Sequence, residues 1–220
     1  MASDIHAMLL HKKTTVFGLP LLSASLPDSR ALNESLASLI LTTETNTPTA
    51  KRSNVGGWRS QDDVHTWDSP PIRSLLEIIN SGVSMLMSEM IGTTHTEELS
   101  RSWSIIAWAN VSRANDFNAI HYHGGFWSGV YYVSVGDDIG DGADGSIVFR
   151  NPTAASMIAG LIQAPALLKR CFSSELNIRP TPGLLLVFPS WLEHWVRPHR
   201  SQQPRISVAF NISFNALHPG

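Results

Sequence analysis

With 220 residues, 43% of them hydrophobic, and a formal net charge of -2, the chain is long enough for one sizeable core. Its charges of both signs are scattered, which disfavours a nucleic-acid or anionic-membrane partner, and its one cysteine, Cys171, excludes an intramolecular disulfide or a thiolate metal cluster. No apolar run is long enough to span a bilayer, and the N-terminus lacks the basic-then-apolar order of a signal peptide, so a soluble, cytoplasmic protein is expected.

In chain order, Thr15-Val16-Phe17 reads as a short strand closed by Gly18 and two prolines. Asp28 or Ser29 then caps a short amphipathic helix, with Leu32, Leu36, Leu39 and Ile40 at helical spacing. The polar stretch from Thr42 to Ser53 reads as a loop, and Asn54 to Ser60 (N-V-G-G-W-R-S) joins two glycines to a tryptophan. A second helix starts at Pro70 and Pro71 behind Ser69, buries a stripe from Ile72 to Met90, and ends at Gly92.

From Trp103 the texture changes to short β-type runs. These are Trp103–Val111, Ala119–His123, Trp127–Val135, Ser146–Arg150, Leu176–Arg179, Gly183–Phe188, Glu193–Val196 and Arg205–Phe214. A helix from Thr153 to Lys169, interrupted by Pro165, separates the fourth from the fifth. The expected fold is mainly β with N-terminal helices: a sandwich, jelly roll or barrel. One domain is expected, with residues 1–100 as a helical buttress and 101–216 as the strand core.

His121 and His123 lie two apart in an extended run, so both side chains can address one face. The pair alone is weak, because nine histidines placed at random in 220 residues give about 0.36 such pairs. His194, in F-P-S-W-L-E-H-W-V, supplies a third imidazole from a late strand, and jelly rolls bring distant strands together. Three imidazoles suit iron, zinc, copper or nickel and leave positions open for substrate. Arg205 begins a strand on which Ser207 and Asn211 share its face, a donor set matched to a carboxylate.

These residues resemble those of the iron(II)- and 2-oxoglutarate-dependent dioxygenases. The resemblance is greatest to a family of 2-oxoglutarate/iron oxygenases carrying H-x-H, S-G-V-Y-Y, G-x-x-x-F, F-P-S-W-x-x-H and R-I-S-x-x-F-N. Here those motifs are His121–His123, Ser128–Tyr132, Gly145–Phe149, Phe188–His194 and Arg205–Asn211. The resemblance implies a double-stranded β-helix, with Fe(II), 2-oxoglutarate and O2 as the reacting set. It implies that His121 and His194 ligate iron and that Arg205 and Ser207 clamp the distal carboxylate of 2-oxoglutarate. His123 stands where most of the superfamily has a carboxylate ligand and is the expected third ligand. Asn110 matches an asparagine that touches the cosubstrate in some members, and Asn211 is a further candidate. Of Tyr131 and Tyr132 only one can face inwards to donate a hydroxyl, and Tyr131 is the expected one.

The implied reaction hydroxylates a C–H bond of a small molecule, amino acid or peptide, releasing succinate and carbon dioxide, with no catalytic residue beyond the metal ligands. Trp58, Trp127 and Trp191 are candidate walls or lid of the substrate pocket. Three alternatives stand beside this reading. One is a three-histidine cupin-type dioxygenase independent of 2-oxoglutarate. The others are a zinc hydrolase or isomerase, whose nearest carboxylate is Glu193, and a non-catalytic jelly-roll binding protein.

Overall fold

The computed structural model describes residues 9–16, 18–137, 144–153 and 173–214. The chain opens with a hairpin of β1 (Leu9–Val16) and β2 (Leu19–Ser25), turning at Gly18 with φ 81°. Helix α1 (Arg30–Asn46) buries Asn33, Leu36 and Ile40. It runs on into the stretch expected to be a loop. There the Thr42, Thr43 and Thr47 hydroxyls donate to carbonyls four residues back, which satisfies polar side chains within a helical turn.

Two short strands follow, β3 (Asn54–Val55) and β4 (Trp58–Arg59), then a 3-10 turn at Val64–Thr66. Helix α2 (Pro70–Ile91) has its two prolines at the N-terminus, where no intrahelical N–H is needed, and stops at Gly92. Its stripe from Ile72 through Leu75, Ile79, Val83 and Leu86 is buried. A short polar helix, α3 (Thr93–Ser100), where no element was expected, leads into the strands.

The strands are β5 (Trp103–Ser112), β6 (Phe117–His121), β7 (Trp127–Val135), β8 (Ile147–Arg150), β9 (Glu175–Ile178), β10 (Leu184–Pro189), β11 (His194–Val196) and β12 (Arg205–Phe214). All eight expected runs are present, with ends shifted by a residue or two. The helix expected from Thr153 lies, from residue 154 on, outside the described residues.

The strands form two antiparallel sheets, a mainly β jelly roll. The larger has the order β1-β2-β10-β7-β12-β5-β4 and the smaller β3-β6-β11-β8-β9. β12, the last strand in the chain, thus lies between β7 and β5. The first hundred residues are not simply a helical buttress, because β1, β2 and β4 belong to the larger sheet and β3 to the smaller.

Both faces of the larger sheet are covered, so its inner strands are apolar on both sides. On one face Tyr131, Val133, Val187 and Phe210 pack with α1 and α2 side chains such as Leu36, Ile79 and Val83. On the other, Val130, Tyr132, Leu186 and Phe188 meet Ile147 and Phe149 of the smaller sheet. Gly129 lies where the sheet packs closest, since a Cβ there would lie 2.2 Å from Cζ of Phe210 and 2.4 Å from the Leu186 carbonyl oxygen. Among the described residues no helix is long and apolar enough to cross a membrane.

Candidate metal and cosubstrate site

Between the two sheets lies a cavity of about 420 Å³. The smaller sheet contributes the histidines. His194 on β11 is the direct cross-strand partner of His121 on β6, and facing residues of an antiparallel pair project to the same side. His123 lies beyond the end of β6, where its backbone N–H donates to the Ser190 carbonyl at 2.9 Å. Ring centroids are 4.4 Å apart for His121–His194, 4.8 Å for His121–His123 and 5.1 Å for His123–His194. One ring nitrogen from each lies within 4.8 Å of the others.

Two of the rings are oriented by backbone carbonyls. Nδ1 of His121 lies 2.6 Å from the Ala119 oxygen, and Nδ1 of His194 lies 2.8 Å from the Leu192 oxygen. Each contact places the proton on Nδ1 and leaves the Nε2 lone pair for a cation. Burial lowers the pKa of all three rings, His123 to about 4 and His194 to about 3. At neutral pH all three are neutral imidazoles, the state a metal ligand needs. The donor set fits a divalent transition metal.

The larger sheet contributes the opposite wall. Arg205, Ser207, Ala209 and Asn211 of β12 line the cavity, as do Tyr132 of β7 and Asn110 of β5, the partner of Ser207. Arg205 is 2% exposed, has no carboxylate partner among the described residues, and reaches Ser207 Oγ at 3.3 Å. Its guanidinium lies 5.0 Å over the Tyr132 ring, and both the Arg205 Nε and the Tyr132 hydroxyl are buried without a hydrogen-bond partner among the described residues. A buried guanidinium with unused donors is costly unless an anion joins it. This wall therefore fits a carboxylate, with a second hydroxyl poised beside it. Burial raises the Tyr132 pKa, so the phenol stays protonated and able to donate.

Four expected site residues are elsewhere. Tyr131 faces the helices, and its hydroxyl donates to Asn33 Oδ1 at 2.8 Å. The inward tyrosine is Tyr132, opposite Ser207. Trp58 and Trp127 are buried in the core beneath the helices, Trp58 donating to the Thr47 carbonyl at 3.1 Å. Trp191 is 51% exposed and stacks edge-on against Phe126, away from the cavity. Glu193 turns outward to Arg150 at 2.9 Å, so it offers no base near the histidines.

The tryptophan that does line the cavity is Trp108, on the same strand face as Asn110, with its ring 5.4 Å from that of His123. Arg59, next to Trp58, lies 4.7 Å over Trp108, and Asp62 and Arg52 complete this side. The period of two on β5, counted back from Asn110, marks Trp108 in the sequence. No comparable signal marks Arg59, whose strand has two residues.

Residues 106–211 match the model of a family described as "Putative 2OG-Fe(II) oxygenase". No curated protein matches the chain by sequence. Among solved structures, a Pseudomonas putida prolyl-4-hydroxylase superposes with a TM-score of 0.60 at 14% identity, covering 89% of this chain and 93% of its own. HygX from Streptomyces hygroscopicus, solved with nickel and 2-oxoglutarate, gives 0.53 at 14% identity, covering 89% and 83%. A collagen prolyl hydroxylase from Paramecium Bursaria Chlorella virus-1, solved with 2-oxoglutarate, gives 0.52 at 10% identity, covering 89% and 96%. Three imidazoles facing an arginine that has no carboxylate partner among the described residues agree with the match of residues 106–211 to the 2OG-Fe(II) oxygenase family model, and the chain has the jelly-roll fold of those neighbours.

Proposed function

We propose that the chain is an iron(II)- and 2-oxoglutarate-dependent dioxygenase that hydroxylates a C–H bond of a small molecule or amino-acid or peptide substrate. The observation that carries this reading is the opposition, in one cavity, of three neutral imidazoles and a buried arginine without a carboxylate partner among the described residues. His121, His123 and His194 would hold the metal. Arg205 and Ser207 would take the distal carboxylate of 2-oxoglutarate, the Tyr132 hydroxyl would donate to it, and Asn110 and Asn211 lie within the same wall.

Bound there, iron(II), 2-oxoglutarate and O2 supply the oxidising chemistry, with succinate and carbon dioxide released. The chain's own residues do the rest. The Ala119 and Leu192 carbonyls hold two imidazoles in the ligating tautomer. The Arg205 charge fixes one end of the cosubstrate, and the apolar wall of Val130, Ile147 and Phe188 limits water near the reacting atoms. The neighbouring structures include hydroxylases of prolyl residues and an enzyme solved with the small molecule hygromycin B, which fits either substrate size.

Anaerobic addition of iron(II) and 2-oxoglutarate to the pure protein tests the reading. A visible metal-to-ligand charge-transfer band is expected in wild type and is lost in His194→Ala. A wild-type protein with no band rejects it. A three-histidine dioxygenase independent of 2-oxoglutarate is favoured by His123 alone, and it predicts that Arg205→Ala leaves activity intact.

A further inference from the structure

The cavity walls carry more positive charge than metal and cosubstrate together offset. Among the described residues they hold Arg52, Arg59 and Arg205 against one aspartate, Asp62, a surplus of two positive charges. Iron(II) and a 2-oxoglutarate dianion cancel each other, so the surplus persists in the loaded site. Arg205 takes the cosubstrate's end, and the rest of the positive charge lies at the mouth.

The mouth is built in two layers. Arg59 is 5% exposed, lies over Trp108, donates to the Ser60 carbonyl at 2.9 Å and is paired with Asp62. Arg59 of this pair lies over Trp108, whose ring is 5.4 Å from that of His123. Arg52 lies outside the pair with a side chain 62% exposed, 3.9 Å from the other Asp62 oxygen, and among the described residues its guanidinium otherwise bonds only to the Lys51 carbonyl at 3.1 Å. Asp62 is thus shared by two guanidiniums and closely paired with one. The same lining carries exposed apolar surface, with Ile106 43% and Tyr122 67% exposed.

We infer that the substrate is a small carboxylic acid with an apolar body, whose carboxylate is held by Arg52 at the mouth. This rests on the oxygenase reading above. The carboxylate takes the free donors of Arg52, with the Arg59–Asp62 pair as floor, and the apolar body runs along Ile106 and Trp108 toward the histidines. A volume of about 420 Å³ that must also hold the cosubstrate leaves room for a molecule of amino-acid size.

Calorimetric titration of the pure protein tests this, using hexanoate, 3-phenylpropionate, L-leucine and L-phenylalanine, each against its methyl ester, with and without saturating 2-oxoglutarate. At least one acid should bind about tenfold more tightly than its ester. That preference should persist in 2-oxoglutarate, collapse in Arg52→Gln and return in part in Arg52→Lys. Arg52 is exposed, so these variants keep the fold. Binding of the amino acids alone supports the inference and adds Asp62 as the ammonium partner. Equal affinity for acids and esters, or no binding across the panel, overturns it. So does a preference that survives Arg52→Gln, or displacement by 2-oxoglutarate, which places the acid on Arg205. A charge-transfer band without an acid preference keeps the oxygenase reading and rejects this one; a preference without the band does the reverse.

Discussion

Tyr131 and Tyr132 are neighbours in sequence and lie on opposite faces of one sheet, the first bonded to Asn33 beneath the helices and the second under the Arg205 guanidinium. Their phenylalanine variants should therefore separate stability from binding. Tyr131→Phe leaves the buried Asn33 oxygen without its donor and should cost about 1–3 kcal/mol in urea unfolding, with 2-oxoglutarate affinity unchanged. Tyr132→Phe removes a buried hydroxyl that has no partner among the described residues, so stability should hold or rise while 2-oxoglutarate binding weakens. Titration of the charge-transfer band reads the second effect.

Gly129 tolerates no Cβ. Gly129→Ala would drive a methyl group against the Phe210 ring and the Leu186 carbonyl, and backbone cannot yield there without parting β7 from β10. The expected loss is about 1–3 kcal/mol or more, read as a lower urea midpoint.

Acid should destabilise the metal-free protein through its buried histidines. His194 titrates near 3 when folded against an ordinary 6.5, because burial disfavours the charged ring. Between those values the unfolded chain binds the proton and the folded one does not, so stability falls as pH falls through 6.5. By pH 5 the contribution is on the order of 2 kcal/mol, and His123, with its pKa near 4, acts in the same direction. Urea midpoints at pH 7 and pH 5 measure it, and His194→Leu should flatten the difference.

Metal should stabilise the fold by mass action. At one hundred times its dissociation constant, nickel(II) should add about 2.7 kcal/mol to wild type. Nothing comparable should appear in His194→Ala, which lacks the most buried of the three imidazoles. Thermal unfolding with and without nickel provides the comparison.

The residues around the cavity were legible where strand period alone decides a side. His121, Arg205, Ser207 and Asn211 could be placed this way, because each shares a strand face with a residue two away, whereas His194 and Asn110 came from jelly-roll topology and the family resemblance. The tyrosine pair could not. Trp127 through Val133 is buried on both faces, so β7 has no polar alternation to show which side meets the cavity. Only its pairing with β12, including the register shift between Ile206 and Ser207, settles the side. Trp58 and Trp127 failed similarly, since size marks them as buried without saying on which face of the sheet, and Trp191 is exposed outside the cavity. Arg59 was hidden because β4 exists by pairing with β5 and not by its own propensity.

β12 lies between β7 and β5 although every other strand precedes it in the chain. During synthesis β5 and β7 must therefore wait with unpaired edges until residues 205–214 emerge, and the larger sheet closes around its last arrival. Arg205 and Ser207 are carried on that closing strand, so until it pairs neither the finished sheet nor the proposed cosubstrate wall exists. Under the proposed function, competence to bind 2-oxoglutarate is acquired in the same step that ends the exposure of those edges.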